Sequence, residues 1–304
     1  MELYQLRSFA AVAELGHLTR ASEKLHISQP ALSAQIKALE DELGVALFDR
    51  TPSGMLLTAA GQRLLPEATK VVTSAAALSS HAKAFIGETT GRARVGTLAD
   101  PQFLRLGDFL AQALDRYPLV EIELHHEVSG AAFAKVRAAE LDASFYYGGL
   151  IHPNVESIAL RTVAYRVAAP IAWRDRVENA GWDEIAALPW IMTPAISTHS
   201  ALANQMFDAH GLAPAKRIEA DNEAVISSLV FAGVGIALMR EDLALEAAAA
   251  REVCLWTEAR AETSLQFIFL QERREDPVVH ALADVVREVW SVPEPVAEES
   301  PALG

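Results

Sequence analysis

The stretch LHISQPALSAQIKALEDELGVALFDR, residues 25–50, places Ser28, Gln29 and Pro30 at the head of an amphipathic segment and Arg50 soon after it. Ser28 can cap a helix running from Gln29 to about Glu42. Pro30 is tolerated there, because the first helical turn has no backbone donor to lose. At about 100° per residue, Leu32, Ile36, Leu39 and Leu43 fall within one narrow arc. Pro30, Ala34 and Lys37 lie roughly opposite, with Ser33 at the flank. The outward face near the helix start is therefore small, polar and weakly basic. The acids Glu40, Asp41 and Glu42 stand at the far end. Such a face suits the base edges of a DNA groove, where long acidic side chains would be repelled by phosphate.

Upstream, Leu3, Leu6, Phe9, Ala10 and Ala13 form one helical stripe. Thr19 is placed to cap a second helix over 20–26, with Ala21 and Leu25 facing inward. Downstream of Gly44, ALFDRTPSGMLLT (46–58) predicts two short strands about a Pro-Ser-Gly turn. Arg50 then stands at the base of the wing, where it can meet a phosphate. On spacing alone the block is either a winged helix-turn-helix or a small helical domain with an exposed polar face.

The totals bound the rest. At roughly 150 residues per domain, 304 residues imply two domains or more. Half the residues are apolar and about a fifth charged, as in an ordinary soluble globular protein. No apolar run approaches the ~20 residues that cross a bilayer, and MELYQLRSFAAVAELG lacks a basic segment followed by an apolar block. The expectation is a cytoplasmic protein with no membrane partner. The single cysteine, Cys254, excludes a disulfide or a two-cysteine switch within the chain and is expected to be a small apolar strand residue. The net charge of −14 argues against a diffuse nucleic-acid binder. Residues 1–60 carry five Lys and Arg against seven Asp and Glu, so any DNA contact must rest on local geometry.

Thr58 can cap a long helix reaching about Gly87, roughly 40 Å at ~1.5 Å per residue. Along it Leu64, Ala68, Val71, Ala75, Leu78, Ala82 and Phe85 step by four and three throughout. Alanine alternating with a bulky residue predicts a coiled-coil seam at which two backbones approach closely. The competing expectation is that this stripe packs on the chain's own body. Gly87 and Gly91 then break the pattern. Beyond them strands and helices alternate: ARVGTL, a helix over 102–116, VEIELHHEV, a helix over 130–140, and DASFYYG. A second set follows, with TVAYRVAAPIAW, PWIMT, a helix near 199–210, KRIEA, a helix over 222–232, and GIALM. SLQFIFLQ and a last helix, 276–290, return the chain to the first set. This alternation predicts parallel α/β sheets in two lobes joined by two crossovers. His125 and His126 point to opposite faces of their strand and cannot chelate together. The tail SVPEPVAEESPALG lacks a packing pattern and is expected to be disordered.

The segment LRSFAAVAELGHLTRASEKLHISQPALSAQIKALEDELGVALFDR…LTAAGQRLLP resembles the N-terminal domain of LysR-type transcriptional regulators. The match runs without gaps over about residues 3–66. Matching positions include Phe9, Ala21, Ser28, Gln29, Pro30, Ser33, Ile36, Gly44, Arg50, Thr58 and Gly61. The resemblance implies a DNA-binding set of Thr19, Ser28, Gln29, Pro30, Ser33, Lys37 and Arg50. The family often carries further basic residues in the wing, and TPSG (51–54) has none. Wing contacts to phosphate would then be weaker and the grip would lean on oligomeric avidity.

The fold it implies is α/β overall: a winged helix-turn-helix over 1–58, a linker and dimerisation helix over 59–88, and a two-lobed effector-binding domain over 89–292. That domain resembles a periplasmic binding protein, with lobe I about 91–161 and 265–292 and lobe II about 162–264; residues 293–304 are the tail. Implied partners are promoter double-stranded DNA, further copies of the chain as a homodimer or homotetramer, a small-molecule effector and RNA polymerase. No other cofactor and no metal are expected.

In such folds ligands lie outside the strands' carboxyl ends, between the lobes and near helix N-termini. This picks out Thr97 to Pro101, Ser129 and Gly130, Tyr147 to Gly149, Thr193 to Thr198, and Asp221 to Glu223. The candidate effector contacts are Thr97, Asp100, Pro101, Ser129, Tyr147, Thr193, Ser197 and Asn222. Asp100, Ser129 and Asn222 double as candidate helix caps. An acid at Asp100 facing the cleft would disfavour a bare carboxylate effector and favour an amine or a polyol. Two other functions compete. A solute-binding-protein-like ligand sensor without a direct DNA role would suit the C-terminal two thirds but leave the reading head unexplained. An enzyme would need a nucleophile elbow, a phosphate loop, H-E-x-x-H or paired cysteines, and none stands in the sequence.

Overall fold

A computed structural model describes residues 1–51, 54–84 and 89–293. They form two compact units. One comprises Met1–Gly91 with Ala138–Glu140 and Asp276–Val278; the other comprises Arg92–Arg137, Leu141–Glu275 and the chain from Val279.

In the first unit α1 (Leu3–Leu15), α2 (Leu18–Lys24) and α3 (Gln29–Leu43) precede the paired strands β1 (Phe48–Thr51) and β2 (Gly54–Leu57), followed by α4 (Ala59–Ala84). The wing strands are antiparallel, Phe48 opposite Leu57 and Thr51 opposite Gly54; the turn residues 52 and 53 lie outside the described residues. Leu6, Phe9, Val12, Ala21, Leu32, Ile36, Leu39, Leu47 and Phe48 form one core, with Phe9 edge-on to Phe48 at 5.5 Å. Burying these side chains is the main source of stability for helices this short. Leu43 differs from expectation. It is 39% exposed, because α3 ends there and Gly44 turns left-handed at φ 71°.

Thr58 caps α4, its hydroxyl accepting from Gly61 N at 2.9 Å and donating to Ala46 O at 2.7 Å. The heptad stripe then divides. Ala68 is buried and Leu64 partly buried in the first unit's own core, so these two positions serve the chain's own body. At Leu64 and Ala68 the stripe follows the competing expectation of packing on the chain's own body: the first turns of α4 lie against α1. Val71 at 47%, Leu78 at 71% and Ala82 are exposed, and Ala75 is half-buried. Phe85, the end of the predicted helix and the 294–304 stretch of the tail lie outside the described residues.

The second unit carries a six-stranded sheet in the order β4-β3-β5-β10-β6-β9 and a two-stranded sheet of β7 and β8. The strands are β3 (Gly91–Thr97), β4 (Val120–His126), β5 (Ala143–Tyr147), β6 (Val155–Pro170), β7 (Pro189–Met192), β8 (Lys216–Glu219), β9 (Ala237–Arg240) and β10 (Val253–Leu270). The helices are α5 (Leu106–Arg116), α6 (Ser129–Arg137), α7 (Arg174–Val177), α8 (Trp182–Ala186), α9 (Thr198–Asp208), α10 (Glu223–Phe231), α11 (Glu241–Ala249) and α12 (Pro277–Trp290). β3 with β5 and β7 with β8 are parallel, as the alternation predicts. The crossovers are antiparallel instead. β6 and β10, of 16 and 18 residues, pair along nearly their whole length and carry the chain from one lobe to the other. Their register slips between Leu265 and Gln266, opposite Ala159–Arg161. A second, longer irregularity lies between Trp256 and Arg260, opposite Val167 and Arg166.

Cys254 is a buried residue of β10 whose thiol donates to Pro170 O at 3.4 Å; burial raises its pKa. Among the described residues no helix is long and apolar enough to cross a membrane, and no three His, Cys, Asp or Glu gather as metal ligands.

Candidate functional site

Two sites emerge, one in each unit. The first is the head of α3. Ser28 caps it, accepting from Ala31 N at 3.3 Å, with Pro30 in the first turn. Gln29, Pro30, Ala34 and Lys37 are exposed, while Leu32, Ile36 and Leu39 are buried beneath them. Arg50 comes from β1 and donates through Nη2 to Ser33 Oγ at 3.0 Å. Wing base and helix face thus form one continuous polar surface. Thr19 does not cap α2; His17 occupies that position. Thr19 instead lies one residue into α2, exposed, and donates to Gln29 Oε1 at 3.4 Å. The correction moves Thr19 from the end of α2 to its face, beside the head of α3.

Glu40 has a role the spacing did not show. Its Oε1 accepts from Leu47 N at 2.7 Å and Phe48 N at 3.2 Å, so an acid ties α3 to the start of the wing. Gly54, at φ 130°, lets the wing approach the α1–α2 turn, where Met55 N donates to Gly16 O at 2.7 Å.

The second site is an open cleft in the second unit, with about 600 Å³ of free space counting the solvent at its mouth. One wall is Leu98, Ala99 and His126–Ser129; the other is Thr193, Ser197–His199, Asp221 and Glu223; Tyr147 and Tyr165 close it. Four of the eight candidate contacts line it: Ser129, Tyr147, Thr193 and Ser197. Four do not. Thr97 is buried with its hydroxyl turned back into the sheet, donating to His125 O at 3.4 Å. Asp100 caps the turn after β3, accepting from Gln102 N and Phe103 N at 3.1 and 3.0 Å. Pro101 is exposed outside the cleft. Asn222 caps α10 through Ala224 N at 2.9 Å, and its neighbours Asp221 and Glu223 take the lining positions. Ser129 is itself the first residue of α6, and its Oγ accepts from Tyr147 N at 3.2 Å rather than capping the helix.

A chain of hydrogen bonds fixes the second wall. Burial lowers the His199 pKa, so the ring is neutral. His199 Nε2 lies 2.9 Å from Leu238 O, which can only accept; that nitrogen therefore carries the proton. Nδ1 then accepts from the Thr193 hydroxyl at 3.2 Å. Thr193 in turn accepts from the Ser197 hydroxyl, and Ser197 Oγ also accepts from Ser200 N at 3.1 Å at the head of α9.

Behind the lining lies Arg240 of β9, 4% exposed. Its guanidinium donates to Asp242 Oδ1 at 2.7 Å, Glu223 Oε2 at 3.3 Å and Asp100 Oδ2 at 2.9 Å, and stacks 3.8 Å from the Phe103 ring centroid. Burial holds the Glu223 carboxyl above its ordinary range, against the pull of Arg240. Burial likewise pushes the Tyr147 and Tyr165 hydroxyls up, so both stay protonated. The walls also touch directly. The Thr198 hydroxyl donates to Tyr147 O, and the start of α6 at Gly130 abuts the carbonyl of Ile196. Tyr165, His126, His199 and Arg240 had no signal in the sequence beyond their residue types.

A helix-turn-helix with an open polar helix face, joined in one chain to a two-lobed domain with a cleft lined by polar side chains, defines a DNA-binding transcription regulator that answers to a small molecule. Residues 3–62 match the family described as "Bacterial regulatory helix-turn-helix protein, lysR family", and residues 86–291 match "LysR substrate binding domain". The chain belongs to the LysR family of transcriptional regulators. The regulator IlvR of Caulobacter vibrioides is 30% identical over 97% of this chain and 100% of its own. The structure of ArgP from Mycobacterium tuberculosis superposes with a TM-score of 0.69 at 21% identity, covering 95% of this chain and 97% of its own. That of CbnR complexed with its target DNA gives 0.60 at 22% identity, covering 95% and 100%.

Proposed function

We propose that the chain works in the cytoplasm as a dimer or tetramer, each copy setting residues 28–37 against a promoter half-site. Arg50 and the Thr19–Gln29 pair flank that contact. The supporting observation is the head of α3: a capped helix end with Gln29, Pro30 and Lys37 exposed and Arg50 joined to Ser33. Val71, Leu78 and Ala82, exposed on one side of α4, supply the dimer seam, and the DNA site is an interrupted inverted repeat. CbnR, whose structure is a complex with its target DNA, supports the same mode for this chain.

A small-molecule effector, with no metal or other cofactor, occupies the cleft and stabilises one arrangement of the lobes. The response is a population shift, which requires differential affinity for the two states. RNA polymerase is the downstream partner. The test is footprinting of the full-length protein on the DNA upstream of its own coding region. A Gln29→Ala, Ser33→Ala double variant should lose sequence preference with its thermal midpoint unchanged. A footprint identical to the parent's would reject these residues as the readers. A protein that stays monomeric and ignores that DNA would reject the function.

A further inference from the structure

The charges around the cleft do not suit an acidic effector. Glu127, Asp221 and Glu223 line it. The nearest cation, Arg240, is already shared among Asp100, Glu223 and Asp242 and stacked on Phe103. Lys135 is taken by Glu127. Arg161 also rests on Phe103, 4.9 Å from its centroid, and does not line the cleft. Asp221 is exposed and pairs with no cation among the described residues. An entering carboxylate would thus find every nearby cation engaged, meet two carboxylates on one wall, and lose its hydration.

The hydrogen-bonding capacity points the same way. The Ser197 hydroxyl spends its proton on Thr193, and Thr193 spends its own on His199. Both therefore offer an entering molecule lone pairs, not protons. The Thr198 hydroxyl is likewise committed to Tyr147 O. Tyr165 is a separate observation. It lines the cleft, is only 6% exposed, and its hydroxyl has no hydrogen-bond partner among the described residues. The hydroxyl is not sealed from solvent, so it is open to bond with a polar group that enters the cleft.

We infer that the cleft takes an organic cation, an effector whose ammonium or guanidinium group sits against Asp221 and Glu223 and donates to the Thr193 and Ser197 oxygens, with a polar group for the Tyr165 hydroxyl. This rests on the reading of the cleft as the effector site.

The experiment is calorimetric titration of the full-length protein with matched amines and acids: benzylamine against benzoate, 1,4-diaminobutane against succinate, and agmatine alone. At least one amine should bind while its acid partner gives no heat. Asp221→Asn should weaken that amine by roughly tenfold, the scale of one charge-assisted hydrogen bond. Tyr165→Phe, which keeps the ring, should weaken it by a similar or smaller factor. Thermal midpoints of both variants should match the parent, since Asp221 is exposed and the Tyr165 hydroxyl bonds to none of the described residues. An acid binding more tightly than its amine partner would overturn the inference, as would the absence of any amine binding up to about 10 mM. Either failure would leave the regulator reading in place, because that reading is judged by the DNA footprint.

Discussion

Gly130→Ala should loosen the contact between the two walls of the cleft without unfolding either. A Cβ built on Gly130 would lie 2.1 Å from Ile196 O and 2.5 Å from Ile196 Cγ1. The oxygen belongs to the backbone just before the Ser197 cap of α9, so it cannot rotate away. Carbon and oxygen rest at about 3.3 Å, so the walls must part by roughly 1.2 Å. A shift of that size stretches the Asp100–Arg240 contact from 2.9 Å to about 4 Å, beyond hydrogen-bonding distance. It also breaks the bond from Thr198 to Tyr147 O. The neutral bond is worth about 1 kcal/mol and the charge-assisted one about 2. Together they shift the balance between closed and open walls by about a hundredfold. Within α6 the substitution is mildly favourable, since alanine exceeds glycine by up to ~1 kcal/mol in a helix. The thermal midpoint should therefore hold. Hydrogen–deuterium exchange on the full-length protein should speed up over 126–130 and 196–200 while β3 and β7 stay protected. Unchanged exchange in those two segments would refute the steric reasoning. A general rise with a lower midpoint would show instead that Gly130 serves the fold of its own lobe.

Gly61→Ala tests the first unit in the same way. Its Cβ would meet Leu47 O at 2.2 Å, and a net loss of about 1–3 kcal/mol should appear as a lower urea midpoint. Asp142 tests the acid limb of stability. Burial alone would raise its pKa, but the bonds from Arg94 and the charge of Arg273 outweigh this and leave it below the ordinary value. A carboxyl depressed in the folded state contributes stability above its unfolded value, near 3.9, and loses it as pH falls through the folded value. Asp142→Asn should cost about 3 kcal/mol at neutral pH and flatten the fall in thermal midpoint below about pH 4, read by scanning calorimetry. Leu78→Glu on the exposed side of α4 should leave the fold untouched and weaken self-association at least tenfold in sedimentation equilibrium.

What the sequence disclosed was whatever depends on neighbours along the chain. The cap at Ser28, the cap at Thr58, the buried arc of α3 through Leu39 and the strand-helix alternation are all set by residues within a few positions, and each stands where the spacing puts it. Thr19 failed as a cap for a local reason too: His17 starts the helix two residues earlier. The heptad stripe was ambiguous because a four-three pattern records that a face is covered, not by what. Leu64 and Ala68 are covered by the chain itself, and Val71 and Leu78 are left open.

The cleft was legible only as a set of strand ends. The rule located the right loops; in three of them the expected Ser129, Tyr147, Thr193 and Ser197 line the cleft, and in two the lining fell to neighbours, Leu98 and Ala99 rather than Thr97, Asp221 and Glu223 rather than Asn222. The reason is that caps and lining compete for the same short polar side chains. An Asn or Asp that satisfies a helix N-terminus has its oxygen turned to the backbone and away from the cavity. Asp100 shows the consequence. Its acidity was the sequence's argument for an effector that is not an acid, yet it never reaches the lining. The same preference arises elsewhere, from Asp221 and Glu223, because Arg240 lies 140 residues from Asp100 in sequence and is neutralised by three acids that only folding collects.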